Sequence, residues 1–171
     1  MLALSFLLSL VGMVLQLALL PPLPLFPGAP AAALAALRLS WTKALFFALA
    51  VGLAADLFSD APLGTIGASF VGSVIAIYPL RRPLSEDDPL HVSLYTAALS
   101  FALFPLEALL FFLFDRRTPY TGEWFFADWA AAPLYNGLYA FIWFALPLAL
   151  YRWARRRWVI FWLTRNSLNR P

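Results

Sequence analysis

The sequence predicts an all-α integral membrane protein, a polytopic bundle of six transmembrane helices, or of five if the second element does not cross. Three observations predict it. Of 171 residues, 63% are hydrophobic and only 12% charged, whereas roughly a quarter of the residues of a soluble domain carry charge. The apolar residues fall in runs long enough to span a hydrocarbon core of about 30 Å at about 1.5 Å per helical residue. The 12 Lys and Arg residues gather beside those runs, where basic residues set membrane orientation.

The first predicted span covers about residues 2–20. It is an uncharged, predominantly apolar run of about 19 residues with no Lys or Arg ahead of it, so it reads as a retained helix and not as a cleaved leader. It stops at PPLPLFPGAP, residues 21–30, whose five prolines remove backbone donors and forbid an ordinary helix interior. A second, short element follows over about 29–41. The third span, about 43–58, and the fourth, about 63–80, are joined only by a turn around SDAP. The fifth, about 90–114, holds Pro105 in mid-span, and the sixth runs from about 133 to 151 with Pro147 near its end. Residues 152–171 form a basic, Trp-rich tail that reads as an interfacial segment on an anionic leaflet.

With the carboxyl terminus inside, the cytoplasmic side holds Arg38, Lys43, Arg81, Arg82, Arg152, Arg155, Arg156, Arg157, Arg165 and Arg170, and the outside only Arg116 and Arg117. That bias predicts a multi-pass protein of a plasma membrane with a cytoplasmic carboxyl terminus. The segment 115–132, rich in Tyr120, Trp124, Phe125, Phe126 and Trp129, reads as an outer loop lying on the interface.

The chemistry-bearing residues are few. Without cysteine there is no disulfide or thiolate site. His91 is the single histidine and has no second ligand or nucleophile at a useful spacing, so neither Ser/His hydrolysis nor a metal centre is predicted. No catalytic, cofactor-binding or metal-binding residue is expected, and the chain reads as a protein that is not an enzyme. The glycines of GTIGASFVG lack the Lys-Ser/Thr of a phosphate loop. They read as packing: Gly64, Ala68 and Gly72 recur every four residues, as do Ala44, Ala48 and Gly52 on the preceding span, and small residues so spaced let helices approach closely in lipid. Spans three and four are therefore expected to form a tight hairpin.

Three carboxylates lie among apolar residues. Asp60, with Pro62 in the first turn, is expected to cap the fourth span. Asp56 falls at the carboxyl end of the third span, against the negative end of its dipole, and has no local explanation. Glu107 lies inside the fifth span two residues after Pro105. Such a group costs about 2.5 to 3.5 kcal/mol on insertion scales; it reads either as a carboxyl satisfying the carbonyl that Pro105 frees, or as a functional group.

GLAADLFSDAPLG (52–64), the proline-rich stretch running into a short helix and SWTK, and the APLYNGLYAF that opens the last span together resemble the MreD family of small rod-shape membrane proteins. The resemblance covers nearly the whole chain. It implies a fold similar to that of the substrate-binding subunits of energy-coupling-factor transporters. It implies a non-catalytic scaffold of the bacterial cell-elongation complex that supports peptidoglycan synthesis. The implied partner is an MreC-like bitopic protein and, through it, MreB-like filaments, a SEDS-type glycosyltransferase and its transpeptidase. The family pattern falls on Gly52, Asp56, Leu63 and Gly64, and its Tyr-Asn pair on Tyr135 and Asn136. The long aromatic segment 115–132 and the basic tail depart from it. The alternative is a small-molecule-binding subunit of a transporter, for which Gln16, Glu107 and Asn136 would be a sparse polar lining.

Overall fold

The computed structural model describes residues 2–19, 24–59, 62–84, 88–114, 122–147, 149–151 and 153–158. Among these, all regular structure is helical: α1 (Leu2–Leu19), α2 (Ala29–Arg38), α3 (Trp41–Asp56), α4 (Thr65–Ile77) continued by a 3₁₀ turn (Tyr78–Arg81), α5 (Pro89–Phe114) and α6 (Gly122–Tyr139), which runs on into a π-helical segment (Ala140–Ala145). Two helical stretches, Pro89–Phe114 and Phe125–Trp158, are long and apolar enough to cross a membrane.

The proline-led element departs from the expected span. α2 has 10 residues, about 15 Å at the α-helical rise, half of what a crossing needs. It occupies the centre of the bundle: Ala29, Ala31, Ala32, Ala33, Ala35 and Ala36 are wholly buried, in contact with α1, α3 and α5. Its alanines explain the placement, because a helix ringed by other helices must present little side chain on every face. Phe70, Leu99, Leu103, Phe104 and Phe144 fill the remaining core.

A second departure concerns the aromatic segment before the last span. Sequence placed 115–132 in a loop with a helix starting at Pro133, but α6 begins at Gly122 and carries Pro133 in its interior. Packing overrides the proline signal. Phe125 lies 5.4 Å from Phe104 and Trp129 stacks on Phe101 at 4.8 Å, centroid to centroid, so these two aromatics face α5. Residues 115–121 of the predicted loop lie outside the described residues, as do 159–171 of the tail.

The hairpin of α3 and α4 is present, with a register unlike the one read from the sequence. On α3, Ala44, Ala48 and Gly52 are buried as expected, whereas on α4 Ala68 is exposed and Gly72 faces Leu106 of α5. The close approach is made by Gly67. A Cβ built on Gly52 would stand 2.5 Å from the Gly67 Cα and 3.0 Å from the Ile66 carbonyl oxygen, so backbone meets backbone there. Period four was the wrong choice of stripe because the turn, and not the spacing, sets which face of α4 looks back.

Gly52→Ala is therefore expected to push α3 from α4 and cost about 1 to 3 kcal/mol. Gly67→Ala, whose added methyl meets only the ends of Leu49 and Leu53 at 3.4 Å, should cost less than 1 kcal/mol. Equilibrium unfolding of both variants in detergent checks the difference; equal losses would count against this register.

Candidate functional site

Asp56 explains itself once the turn is built. Its carboxylate is 3% exposed and accepts three main-chain hydrogen bonds from the start of α4: Gly64 N to Oδ2 at 2.9 Å, Ile66 N to Oδ1 at 2.9 Å and Gly67 N to Oδ2 at 3.2 Å. Asp56 thus caps a helix that begins nine residues after it. The other amides of that first turn are also paired, Thr65 N to the Pro62 carbonyl and Ala68 N to the Gly64 carbonyl. The dipole of α4 offsets the unfavourable end of α3 at which Asp56 sits. Gly64 makes the geometry possible, because its φ of 94° lies in the left-handed region that favours glycine.

Asp56 therefore serves the first amides of α4, and Pro62 precedes the first turn instead of lying in it; the cap expected of Asp60 lies outside the described residues. At the carboxyl end of α3, the Ser59 amide and hydroxyl both donate to the Asp56 carbonyl. The turn is left with its apolar side chains outward, Leu57 76% and Leu63 75% exposed.

Asn136 forms a second polar clamp. It is wholly buried; Oδ1 accepts from Phe26 N at 2.6 Å, and Nδ2 donates to the carbonyls of Pro24 at 3.0 Å and Ala132 at 2.8 Å. Gln16 Nε2 donates to the Leu25 carbonyl at 2.9 Å. The extended segment entering α2 therefore has its polar groups served by α1 and α6, the condition under which irregular backbone can lie inside an apolar bundle. Tyr135, the neighbour that the resemblance also singles out, is 44% exposed and stands outside this clamp.

The far end of α2 is closed by Arg81. Its Nη1 donates to the carbonyls of Leu39 at 2.9 Å and Ala36 at 3.4 Å, and its guanidinium lies 4.0 Å from the centroid of the Tyr78 ring. A cation suits a helix carboxyl terminus. Sequence reading used Arg81 only as an orientation marker.

Glu107 loses one of its two explanations. A proline at 105 deprives the Phe101 carbonyl of its donor four residues on, and that carbonyl accepts instead from Trp129 Nε1 at 2.9 Å. Glu107 is not the group that repairs the proline break. It is 8% exposed, close enough to Asp56 for the two carboxyl groups to interact electrostatically, and its Oε2 has no hydrogen-bond partner among the described residues.

The predicted residues do not converge on one chemical centre. Gly52, Asp56 and Gly64 share the α3–α4 turn with Glu107 nearby, Asn136 works at the other break, and Ala68 and Gly72 face away from the Gly52 contact. Gly67 was missed, while Gln16 and Trp129 were named only as polar lining and as an interfacial aromatic, not as partners of the backbone groups they serve. The position of Pro105 did imply a freed carbonyl, but nothing local named its donor. No family model, no curated protein and no solved structure matches the chain. Among the described residues, no group of three or more His, Asp or Glu side chains is placed to hold a metal ion.

Replacing Asp56 with Asn leaves one oxygen where two serve the amides of α4. Asp56→Asn is expected to lower stability by about 1 to 3 kcal/mol. Trp129→Phe keeps an aromatic ring against Phe101 but strands its carbonyl, at about 1 kcal/mol. Thermal melts of the purified variants in one detergent measure both.

Proposed function

We propose that the chain is an MreD-like, non-catalytic scaffold of the bacterial cell-elongation complex. In this reading it is a multi-pass protein of the inner membrane, with its carboxyl terminus in the cytoplasm, where ten of its twelve basic residues would lie. The α3–α4 turn presents a site to the transmembrane helix of an MreC-like bitopic partner, through which filaments and the peptidoglycan-synthesising enzymes are reached.

One observation supports this most. The four residues to which the resemblance points, Gly52, Asp56, Leu63 and Gly64, lie on the one α3–α4 hairpin. Gly52 brings the helices together, Asp56 and Gly64 hold the start of α4, and Leu63 beside Leu57 is left exposed at the tip. A pattern of that kind separates residues that build a surface from one that is displayed on it. Asn136 has a comparable building role at the proline segment.

A second reading, a small-molecule-binding subunit of a transporter, draws on Glu107, a buried carboxyl with an unpaired oxygen in the middle of α5. Thermal stabilisation of the purified protein by a vitamin panel would favour that reading.

Complementation in a rod-shaped bacterium depleted of its own MreD-like protein tests the scaffold. The wild-type chain should restore rods, and Asp56→Asn at matched membrane levels should leave cells round. The double variant Leu57→Ser and Leu63→Ser, which leaves the clamp intact, should keep its melting temperature and lose crosslinking to the MreC-like partner. Failure of the wild-type chain to restore shape, together with no such crosslink, would end the proposal.

A further inference from the structure

We infer that the helix end Trp153–Trp158 binds the phosphate groups of anionic phospholipids through a stacked arginine fork. The inference rests on the reading of the chain as a membrane protein and not on a role in cell shape. Arg155, Arg156 and Arg157 are all exposed, and so are Trp153, at 60%, and Trp158, at 64%. The Arg157 guanidinium lies 5.3 Å from the centroid of the Trp153 ring, one helical turn earlier on the same face. A guanidinium held over the ring face at this cation–π distance still has edge N–H groups that can meet two oxygens of one phosphate.

Depth along the helix favours lipid over a soluble anion. The 23 residues from Trp129 to Tyr151 include no Asp, Glu, Lys or Arg, about 34 Å at the helical rise, enough for one hydrocarbon core. Arg155 to Arg157 then fall about 6 to 9 Å beyond its edge, within the headgroup layer of about 5 to 8 Å or just past it. Indole rings prefer that same boundary, and a ring fixed there keeps the fork at phosphate depth. Arginine suits the task better than lysine, whose ammonium offers neither a flat face nor a paired donor edge.

The test is native mass spectrometry of the full chain released from mixed micelles of phosphatidylglycerol and phosphatidylcholine. The wild-type chain should retain phosphatidylglycerol in preference, and Arg155→Gln, Arg156→Gln and Arg157→Gln should each lose roughly 5-fold of that preference. Arg157→Lys keeps the charge but not the paired donor edge, and should lose part of that preference. Equal retention of the two lipids, or a wild-type preference in Arg157→Lys, overturns the fork. Displacement of the lipid by excess inorganic phosphate would assign the site to a soluble phosphate instead, and stronger retention of an acidic peptide would assign it to a protein. A chain that stays in solution without detergent removes the membrane reading, a result distinct from all of these.

Discussion

Where helices break among the described residues of this apolar bundle, buried main-chain N–H and C=O groups need partners, and the structure is organised around pairing them. At the start of α4 the acceptor is the Asp56 carboxylate, which takes three amides at once. At the proline-rich entry to α2 the donors and acceptor come from Gln16 and Asn136, and at Pro105 the donor is the Trp129 indole. Each unpaired group would cost about 1 to 3 kcal/mol when buried. That is why a chain with so few polar side chains spends them at its breaks.

The same constraint explains the placement of α2. A helix of ten residues cannot cross a bilayer alone, so both of its ends fall where other helices must serve them. Asn136 and Gln16 hold the entry, and Arg81 holds the exit against the Leu39 and Ala36 carbonyls. The alanine faces between let α1, α3 and α5 close around it. Contacts that look like separate details thus join the first, fourth and sixth helices through one short central element.

The α3–α4 turn combines two requirements that reinforce each other. Gly52 and Gly67 allow the helices to touch at the backbone, which brings the carboxylate of Asp56 within reach of the next helix. The carboxylate in turn pins the first amides of α4 and so holds the glycines in register. A turn fixed in this way holds Leu57 and Leu63 exposed at its tip. Glu107, near Asp56 but not part of the clamp, is the one buried carboxyl whose position the main-chain pairing does not explain.

By itself the sequence determined the composition class, the helical character, the limits of α3 to within about two residues, and the pairing of α3 with α4. These follow from length, hydropathy and proline position, which act locally along the chain. It also marked Asp56 as a residue in need of an explanation, because a carboxylate at a helix carboxyl terminus conflicts with the dipole visible in the sequence. Only the tertiary structure decided what that explanation is, since the amides Asp56 caps belong to another helix in a register set by Gly64. It likewise decided that Gly67 and not Ala68 makes the contact, that α6 runs through Pro133, and that α2 is enclosed by its neighbours. In each case the deciding partner lies on a different element, and no local pattern of residues specifies which groups the packing will bring together.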